Sequence, residues 1–310
     1  MNVLVIGSIN TDFVVESEVL PQLGETVLGK NFSMHSGGKG ANQAVAAARL
    51  GAKVSIIAAV GNDEMGQREI EILKQEKIDT TGIVIKNGVS TGIAVITLFQ
   101  NDNCIIVVGG ANLALSIDDI EKNQHKIQSA DVIVCSLEIP LECVQYACQQ
   151  AKRCNKHFIL NPAPAQNLPD ELLENATLIT PNVWEYAKLF RLPENSSSDD
   201  VWRHFQQYSL PNTLMTCGIH GVLYHHNHLV QNQPAFKVSV VDTTGAGDTF
   251  NGALAAFFDL PRTDAIRYAV AAASLSVTRH GARNGMPSSQ ELEKFLEENG
   301  ISNKKGAKNL

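Results

Sequence analysis

The sequence holds no Cys-x-x-Cys pair, no apolar run long enough to span a bilayer, and no cluster of Lys and Arg ahead of its last few residues. Each absence removes a class of function. The six cysteines are scattered, and Cys143, Cys148 and Cys154 fall along one expected helix, a geometry unlike a zinc knuckle. Reduced thiols, and with them a cytoplasmic location, are the simplest expectation. A membrane helix needs about 20 predominantly apolar residues in succession, so no membrane partner is expected. A formal net charge of −7 argues against a nucleic-acid face. Lys304, Lys305 and Lys308 lie in a polar tail, residues 300–310, that reads as frayed. The chain opens directly on strand-like residues, so no signal peptide is expected. Lys39 follows two glycines, but the Gly-x-x-x-x-Gly-Lys-Ser/Thr spacing of a phosphate-binding Walker loop is missing.

What is present is a large supply of core residues, 44% hydrophobic in 310 residues. They are arranged as strands and helices in alternation, and one α/β domain is expected over residues 1–310. Asn2-Val-Leu-Val-Ile-Gly7 is a continuous apolar run that reads as a central parallel strand, buried on both faces. Further strands are expected at Val54–Val60, Ala130–Ser136, His157–Asn161 and Ala176–Thr180, with helices at Met65–Lys77, Ile117–Gln128 and Pro140–Lys152 between them. Open parallel sheets bind their ligands beyond the carboxyl ends of the strands. Asn10 and Asp12 follow the first strand at a spacing that shares a face in extended chain, and Glu138 follows the strand that ends at Ser136. Two polar side chains placed that way can pair with vicinal hydroxyls of a sugar. An Asx turn that closes the strand explains Asn10 and Asp12 equally well.

Two segments stand apart from this alternation. Leu20–Ser36 carries Pro21, Gly24 and Gly29 among short alternating pieces, and Gly92–Phe99 with Cys104–Gly109 flanks a polar turn in the manner of a β-hairpin. Together, about 13–36 and about 90–110, they are expected to form a small β-sheet lid. A sheet covered on one face exposes an apolar surface on the other, which favours a homodimer. The alternative is a pair of ordinary edge hairpins.

Asp242-Thr-Thr-Gly-Ala-Gly-Asp248 is the most informative stretch. It follows Phe236–Val241, read as a strand end, and leads into a helical segment through Phe258. A glycine turn before a helix aims the backbone N–H groups of Gly245, Ala246 and Gly247 at one spot, and the helix dipole adds positive potential there. Such a spot suits phosphate. Asp248 beside it works against simple phosphate binding, but it fits a base that takes the proton of an attacking hydroxyl. A capping Asp is the plain alternative. Ser36-Gly-Gly-Lys-Gly-Ala-Asn-Gln-Ala44 opens a second helix, which ends at Gly51 and brings Asn42 to its first turns. Asn182 and Glu185 stand three apart at another helix start, where a ligand role and a capping box are both served. His225-His-Asn-His228 reads as a polar hairpin tip, and Arg279–Gly285 as a loop whose carbonyls suit a monovalent cation.

Gly37-Gly-Lys-Gly-Ala-Asn-Gln-Ala44 and Asp242-Thr-Thr-Gly-Ala-Gly-Asp248 resemble the two signatures of the ribokinase-like (PfkB) family of sugar kinases, in the right order, and the resemblance runs from about residue 2 to about residue 287. It implies a mostly parallel central sheet flanked by helices, with a small β-sheet lid. The Gly-Ser-Ile-Asn-Thr-Asp opening, the first signature's wording and Leu137-Glu-Ile-Pro140 are similar to those of the members that phosphorylate D-ribose at its 5-hydroxyl with ATP. By that resemblance Asn10, Asp12, Gly38, Lys39, Asn42 and Glu138 bind the sugar, and Asp248 is the catalytic base. Asn182, Glu185, Thr216, Cys217, Gly218, Ile219, His220, Gly221 and Gly247 serve ATP, which brings Mg2+. Asp242, Thr244, Ser276, Arg279, Gly281 and Gly285 match a potassium loop. The chain departs from the family pattern at Val183-Trp184, at Cys217, at Ile219-His220, and at Gly285, where a side-chain hydroxyl is common. Rival readings are a kinase for deoxyribose, another small sugar or a nucleoside, and a non-catalytic sugar-binding protein on the same fold.

Overall fold

The computed structural model describes residues 1–100 and 102–301. The polar tail from residue 302, with its three lysines, lies outside the described residues, as does Asn101. The strands in chain order are β1 (Asn2–Ile6), β2 (Asn10–Ser17), β3 (Gly29–Gly37), β4 (Lys53–Gly61), β5 (Asp79–Lys86), β6 (Gly92–Phe99) and β7 (Asp102–Val108). They continue with β8 (Val132–Ser136), β9 (His157–Asn161), β10 (Leu178–Ile179), β11 (Leu214–Thr216), β12 (Val222–His226) and β13 (Leu229–Gln233). The helices are α1 (Lys39–Arg49), α2 (Glu64–Gln75), α3 (Ile117–Glu121), α4 (Gln124–Ser129), α5 (Leu141–Arg153) and α6 (Asp170–Asn175). After them come α7 (Val183–Leu189), α8 (Ser198–Tyr208), α9 (Ala246–Ala256), α10 (Arg262–Ser276), α11 (Ala282–Gly285) and α12 (Ser289–Glu298).

Six strands form a parallel central sheet in the order β10-β9-β8-β1-β4-β5. The alternation of side chains along each strand supplies two cores. Val3 and Val5 with Val132 and Val134 face α1, α9 and α10, whereas Leu4 and Ile6 with Ile133 and Cys135 face α5 and the turn before α3. These side chains are all but fully buried. Each contributes about 1.5–3 kcal/mol of burial free energy, so strands apolar on both faces are stable only where helices cover both. The β11-β12-β13 sheet continues the central one through a parallel bridge between Ile179 and Thr213.

The segments set apart in the sequence make a separate four-stranded sheet, β3-β2-β6-β7. β2 is parallel to β6, while the outer pairs are antiparallel. Its apolar side chains are left uncovered, with Phe32, Ile106 and Val108 exposed on one face and Ile105 and Val107 on the other. Only Gly29–Gly37 of the Leu20–Ser36 stretch is a strand, and it pairs along the whole of β2.

Two expectations need correction. Phe236–Val241 joins no sheet; it runs along the end of α10, where the Ser274 hydroxyl and the Val277 carbonyl take its N–H groups. Phe236 packs on the core beside Phe295, whereas Val240 and Val241 stay exposed. The helix expected over Ile117–Gln128 is broken into α3 and α4 at Asn123, whose side chain bonds back to the Asp119 carbonyl. Among the described residues no helix is long and apolar enough to cross a membrane. Gly252 of α9 lies against α1, where a Cβ would meet the Gln43 carbonyl at 2.5 Å and the Ala46 Cβ at 2.6 Å.

Candidate active site

The carboxyl ends of β1 and β8, the N-terminus of α1 and the first turn of α9 converge on one cleft, with β2 rising from it into the small sheet. The α1 N-terminus sits directly on the chain leaving β1. Gly38 has φ +85°, and a Cβ there would lie 2.7 Å from the Asn10 nitrogen and 2.9 Å from the Ser8 carbonyl oxygen. Only glycine lets the two segments meet so closely.

Asp248 is 7% exposed and stands in the first turn of α9, three residues after the N-cap. It is not the cap itself: that residue is Gly245, at φ +76°. One carboxylate oxygen accepts a hydrogen bond from Asn42 Nδ2 at 3.0 Å, and the other from Gln43 Nε2 at 3.2 Å. Gln43 reaches on to Asn161 Oδ1 at 3.0 Å. Burial pushes the Asp248 carboxyl up from its ordinary pKa, and the Lys39 ammonium opposes the shift. The pair works reciprocally, since the Asp248 charge is the main reason Lys39 is held above its ordinary value. Lys39 also feels the charges of Glu138 and Glu185, while among the described residues no ion pair within 4 Å is recorded for it.

The anion turn differs by one group from the expected set. The Ala246 N–H bends back to the Thr243 carbonyl at 3.2 Å. Among the described residues, no partner is recorded for the N–H groups of Gly245, Gly247 and Asp248. Gly247 opens onto free space, with no atom within 4 Å of where its Cβ would be.

On the side of β2, Asn10 Oδ1 accepts from Asn112 Nδ2 at 2.7 Å, and Asn112 also holds both the N–H and the carbonyl of Ile9. Asp12 points beside Gly37. Among the described residues no hydrogen bond is recorded to its carboxylate. Burial raises its pKa to about 6, with Arg283 opposing and Glu138, Glu69 and Asp248 adding to the rise. Glu138 accepts from the Ser8 hydroxyl and from the Lys39 N–H at 3.0 Å, so it is tied to both segments it faces.

The candidate ATP residues lie next to this cluster. Asn182 and Glu185 form a capping box at α7: Glu185 accepts from the Asn182 N–H at 2.8 Å and from Asn182 Nδ2 at 2.9 Å, and Asn182 Oδ1 accepts from the Glu185 N–H at 2.8 Å. Burial raises the Glu185 carboxyl, with Lys39 opposing. Asn182 bridges to Thr216, and the chain then turns sharply through Gly218 and Gly221, closed by the Cys217 N–H on the Gly221 carbonyl at 2.7 Å. Cys217 is buried, whereas Ile219 and His220 are exposed and His220 meets the edge of Trp202.

Behind the anion turn, Asp242 accepts from the Thr244 N–H at 2.9 Å and the Gly281 N–H at 2.8 Å. The Ser276 hydroxyl is spent on the Ala273 carbonyl and the Arg279 guanidinium on Glu291, so what these two offer a cation is their carbonyls. Gly285 stands where a side-chain hydroxyl is common, and the reason is steric: a Cβ there would lie 2.2 Å from the Ser276 carbonyl oxygen. His225 bonds Ser209 and stacks on Phe205, as befits a hairpin strand.

Sequence reasoning missed Gln43, Asn112, Asn161, Glu69 and Arg283. Glu69 carried the one readable signal, since it stands three residues after Gly66 and four before Leu73, on the buried stripe of α2.

Residues 1–289 match the family described as pfkB family carbohydrate kinase. The chain is 39% identical over 298 residues to a ribokinase from Haemophilus influenzae, covering 94% of this chain and 97% of that protein. It is 41% identical over 301 residues to a ribokinase from Bacillus subtilis, covering 95% and 99%. Its fold is similar to that of Arabidopsis thaliana ribokinase complexed with ribose and ATP, with a TM-score of 0.86 and 30% identity over 95% of this chain and 98% of that one.

Proposed function

The chain belongs to the pfkB family of carbohydrate kinases, and on that premise we propose that it transfers the γ-phosphoryl group of ATP to the 5-hydroxyl of D-ribose, giving ribose 5-phosphate and ADP. The observation that carries the reading is the buried Asp248, held by Asn42 and Gln43, at a helix start whose own N–H has no recorded partner among the described residues, and within the electrostatic influence of Lys39. Relatives named ribokinase at 39% and 41% identity support the choice of sugar.

In this mechanism the sugar lies against Asn10, Asp12, Gly38, Lys39, Asn42 and Glu138. Asp12 accepts from a ring hydroxyl with a carboxylate that no protein donor occupies, and Asn10, whose carbonyl is taken by Asn112, donates through its NH2. The 5-hydroxyl points to Asp248. Its oxygen attacks the γ-phosphorus, its proton passes to the carboxylate, and the bond from phosphorus to the bridging oxygen of ADP breaks. A carboxyl raised by burial holds the incoming proton better than an ordinary one. The Gly247 and Asp248 N–H groups and the Lys39 ammonium stabilise the charge spread over the transferred group. ATP extends over Gly218–Gly221 towards Asn182 and Glu185.

Magnesium carried in with the nucleotide would neutralise charge on its phosphates, and Glu185 is the carboxylate that would face it on that side. The oxygen-rich loop of Asp242, Thr244, Ser276, Arg279, Gly281 and Gly285 suits potassium, a hard cation that takes carbonyl and carboxylate oxygens. The small sheet serves as the lid over the sugar, and its uncovered face, with Ile106 67% exposed, serves as a homodimer contact. Sedimentation at the mass of a monomer would count against that contact.

An ADP-release assay across pentoses, deoxyribose, hexoses and nucleosides tests the whole reading. Ribose is expected to give the highest kcat/KM, and a higher value for deoxyribose or a nucleoside overturns the sugar assignment. The same assay in sodium-only buffer is expected to lose activity that potassium restores.

A further inference from the structure

We propose that Arg283 is a positioning residue for the sugar half of this reaction, one that locks the Asn42 amide in the orientation that serves Asp248 and fixes the Gly37 carbonyl beside Gly38. The inference rests on the reading of Asp248 as the base. Arg283 lies in α11, inside the stretch that sequence alone presents as a loop of useful carbonyls. Its side chain is 7% exposed and bonds three acceptors from three elements. Nε donates to Asn42 Oδ1 at 3.0 Å, Nη2 to the Gly37 carbonyl at 2.7 Å, and Nη1 to Glu69 Oε2 at 3.1 Å.

Guanidinium is a donor only, and so whatever faces its Nε must accept. Asn42 therefore turns its oxygen to Arg283, which leaves its NH2 for the Asp248 carboxylate at 3.0 Å. A flipped amide would set oxygen against carboxylate and NH2 against guanidinium, two repulsive contacts in a buried site. The orientation is thus determined from both ends, and Arg283 supplies one of them. The Gly37 bond acts on the other wall of the subsite, since Gly37 stands in register with Asn10 across β2 and β3. The planar fork reaches all three acceptors at once, which a single ammonium does not.

The competing account is that Arg283 only neutralises Glu69, a fully buried carboxylate. The test separates the two. Arg283→Met alone strands the Glu69 charge and is expected to destabilise the fold. The double variant Arg283→Met with Glu69→Gln removes both charges and keeps an acceptor for the Ser36 hydroxyl, which now bonds Glu69 Oε1 at 2.9 Å. It is expected to recover most of the lost melting temperature, yet to keep a sugar kcat/KM at least about tenfold below the wild type, equivalent to about 1.4 kcal/mol, while the KM for ATP stays within about twofold. Arg283→Lys, which retains the ion pair, is expected to fold normally and show the same sugar defect. A double variant whose sugar kcat/KM returns to within about twofold of the wild type, or a lysine variant with no defect, overturns the inference alone. A wild type that turns over no sugar overturns the functional reading, and this inference with it.

Discussion

On the sugar side of the cleft, Arg283, Asn42, Asp248 and Gln43 are buried and joined end to end by hydrogen bonds, whereas the nucleotide side is a backbone turn from Gly218 to Gly221 with Ile219 and His220 standing in the open. The departures from the family pattern, Gly285 of the cation loop apart, collect on the second side: Val183, Trp184, Cys217, Ile219 and His220. The contrast has a physical reason. A ligand read by side chains depends on each of those side chains, and every buried polar group left unpaired costs about 1–3 kcal/mol. A ligand cradled by main-chain groups depends on the shape of the turn. Here that shape needs Gly221, where a Cβ would lie 2.0 Å from the Gln233 carbonyl, and leaves the residues between Gly218 and Gly221 free to vary.

The largest break in this contrast comes from Asp248→Asn. It preserves the volume and most hydrogen-bonding positions but removes the proton acceptor, and turnover is expected to fall about a thousandfold with ribose binding little changed. Near-normal single-turnover rates in that variant would remove Asp248 from its role.

Asp12 gives the next effect, through pH. Its pKa is raised from 3.8 to about 6, so the carboxylate accepts a hydroxyl hydrogen only above that value. The kcat/KM for ribose is expected to fall as pH drops through about 6, while the KM for ATP stays flat. Asp12→Asn should raise the ribose KM about tenfold or more and erase this acid limb. A limb that survives in the variant assigns it to another group. The stability of the unliganded protein runs the opposite way: a carboxyl raised on folding stabilises most fully below pH 3.8, and its contribution is lost as pH rises through about 6.

The smallest effect is expected from His220→Ala. It removes an edge-on contact with Trp202 at 5.4 Å between ring centroids, worth about 0.5–1.5 kcal/mol, in a turn whose backbone stays in place. The KM for ATP should rise by no more than about threefold, and a loss comparable to that of Asp12→Asn would show that side chains matter on both sides.

Much of the sugar site can be read in the sequence because its groups are local to two glycine motifs. Lys39 and Asn42 share one helix start, and Gly245 to Asp248 share another. The groups that brace them are far away in the chain: Asn112 is 102 residues from the Asn10 it holds, and Arg283 is 241 residues from Asn42. Nothing in Ala282-Arg-Asn-Gly285 announces a buried guanidinium, because its partners come from α1, α2 and β3. Phe236–Val241 misleads for a related reason. Alternating apolar residues suit any half-buried extended chain, and whether a strand or a helix lies alongside is settled by the packing.

By itself the sequence determined the alternation of strands and helices, the parallel sheet with apolar residues on both faces, the separate small sheet, and the pairing of a helix start with a carboxylate at Asp248. These follow from local periodicity and from glycine, which act within a few residues. Only the tertiary structure decided which way the Asn42 amide faces, which N–H groups of the anion turn remain open, why Gly285 has no side chain, and that Glu69 is paired in the core. Each of these depends on what another part of the chain brings within about 3 Å, the range over which a hydrogen bond is made or a Cβ is excluded.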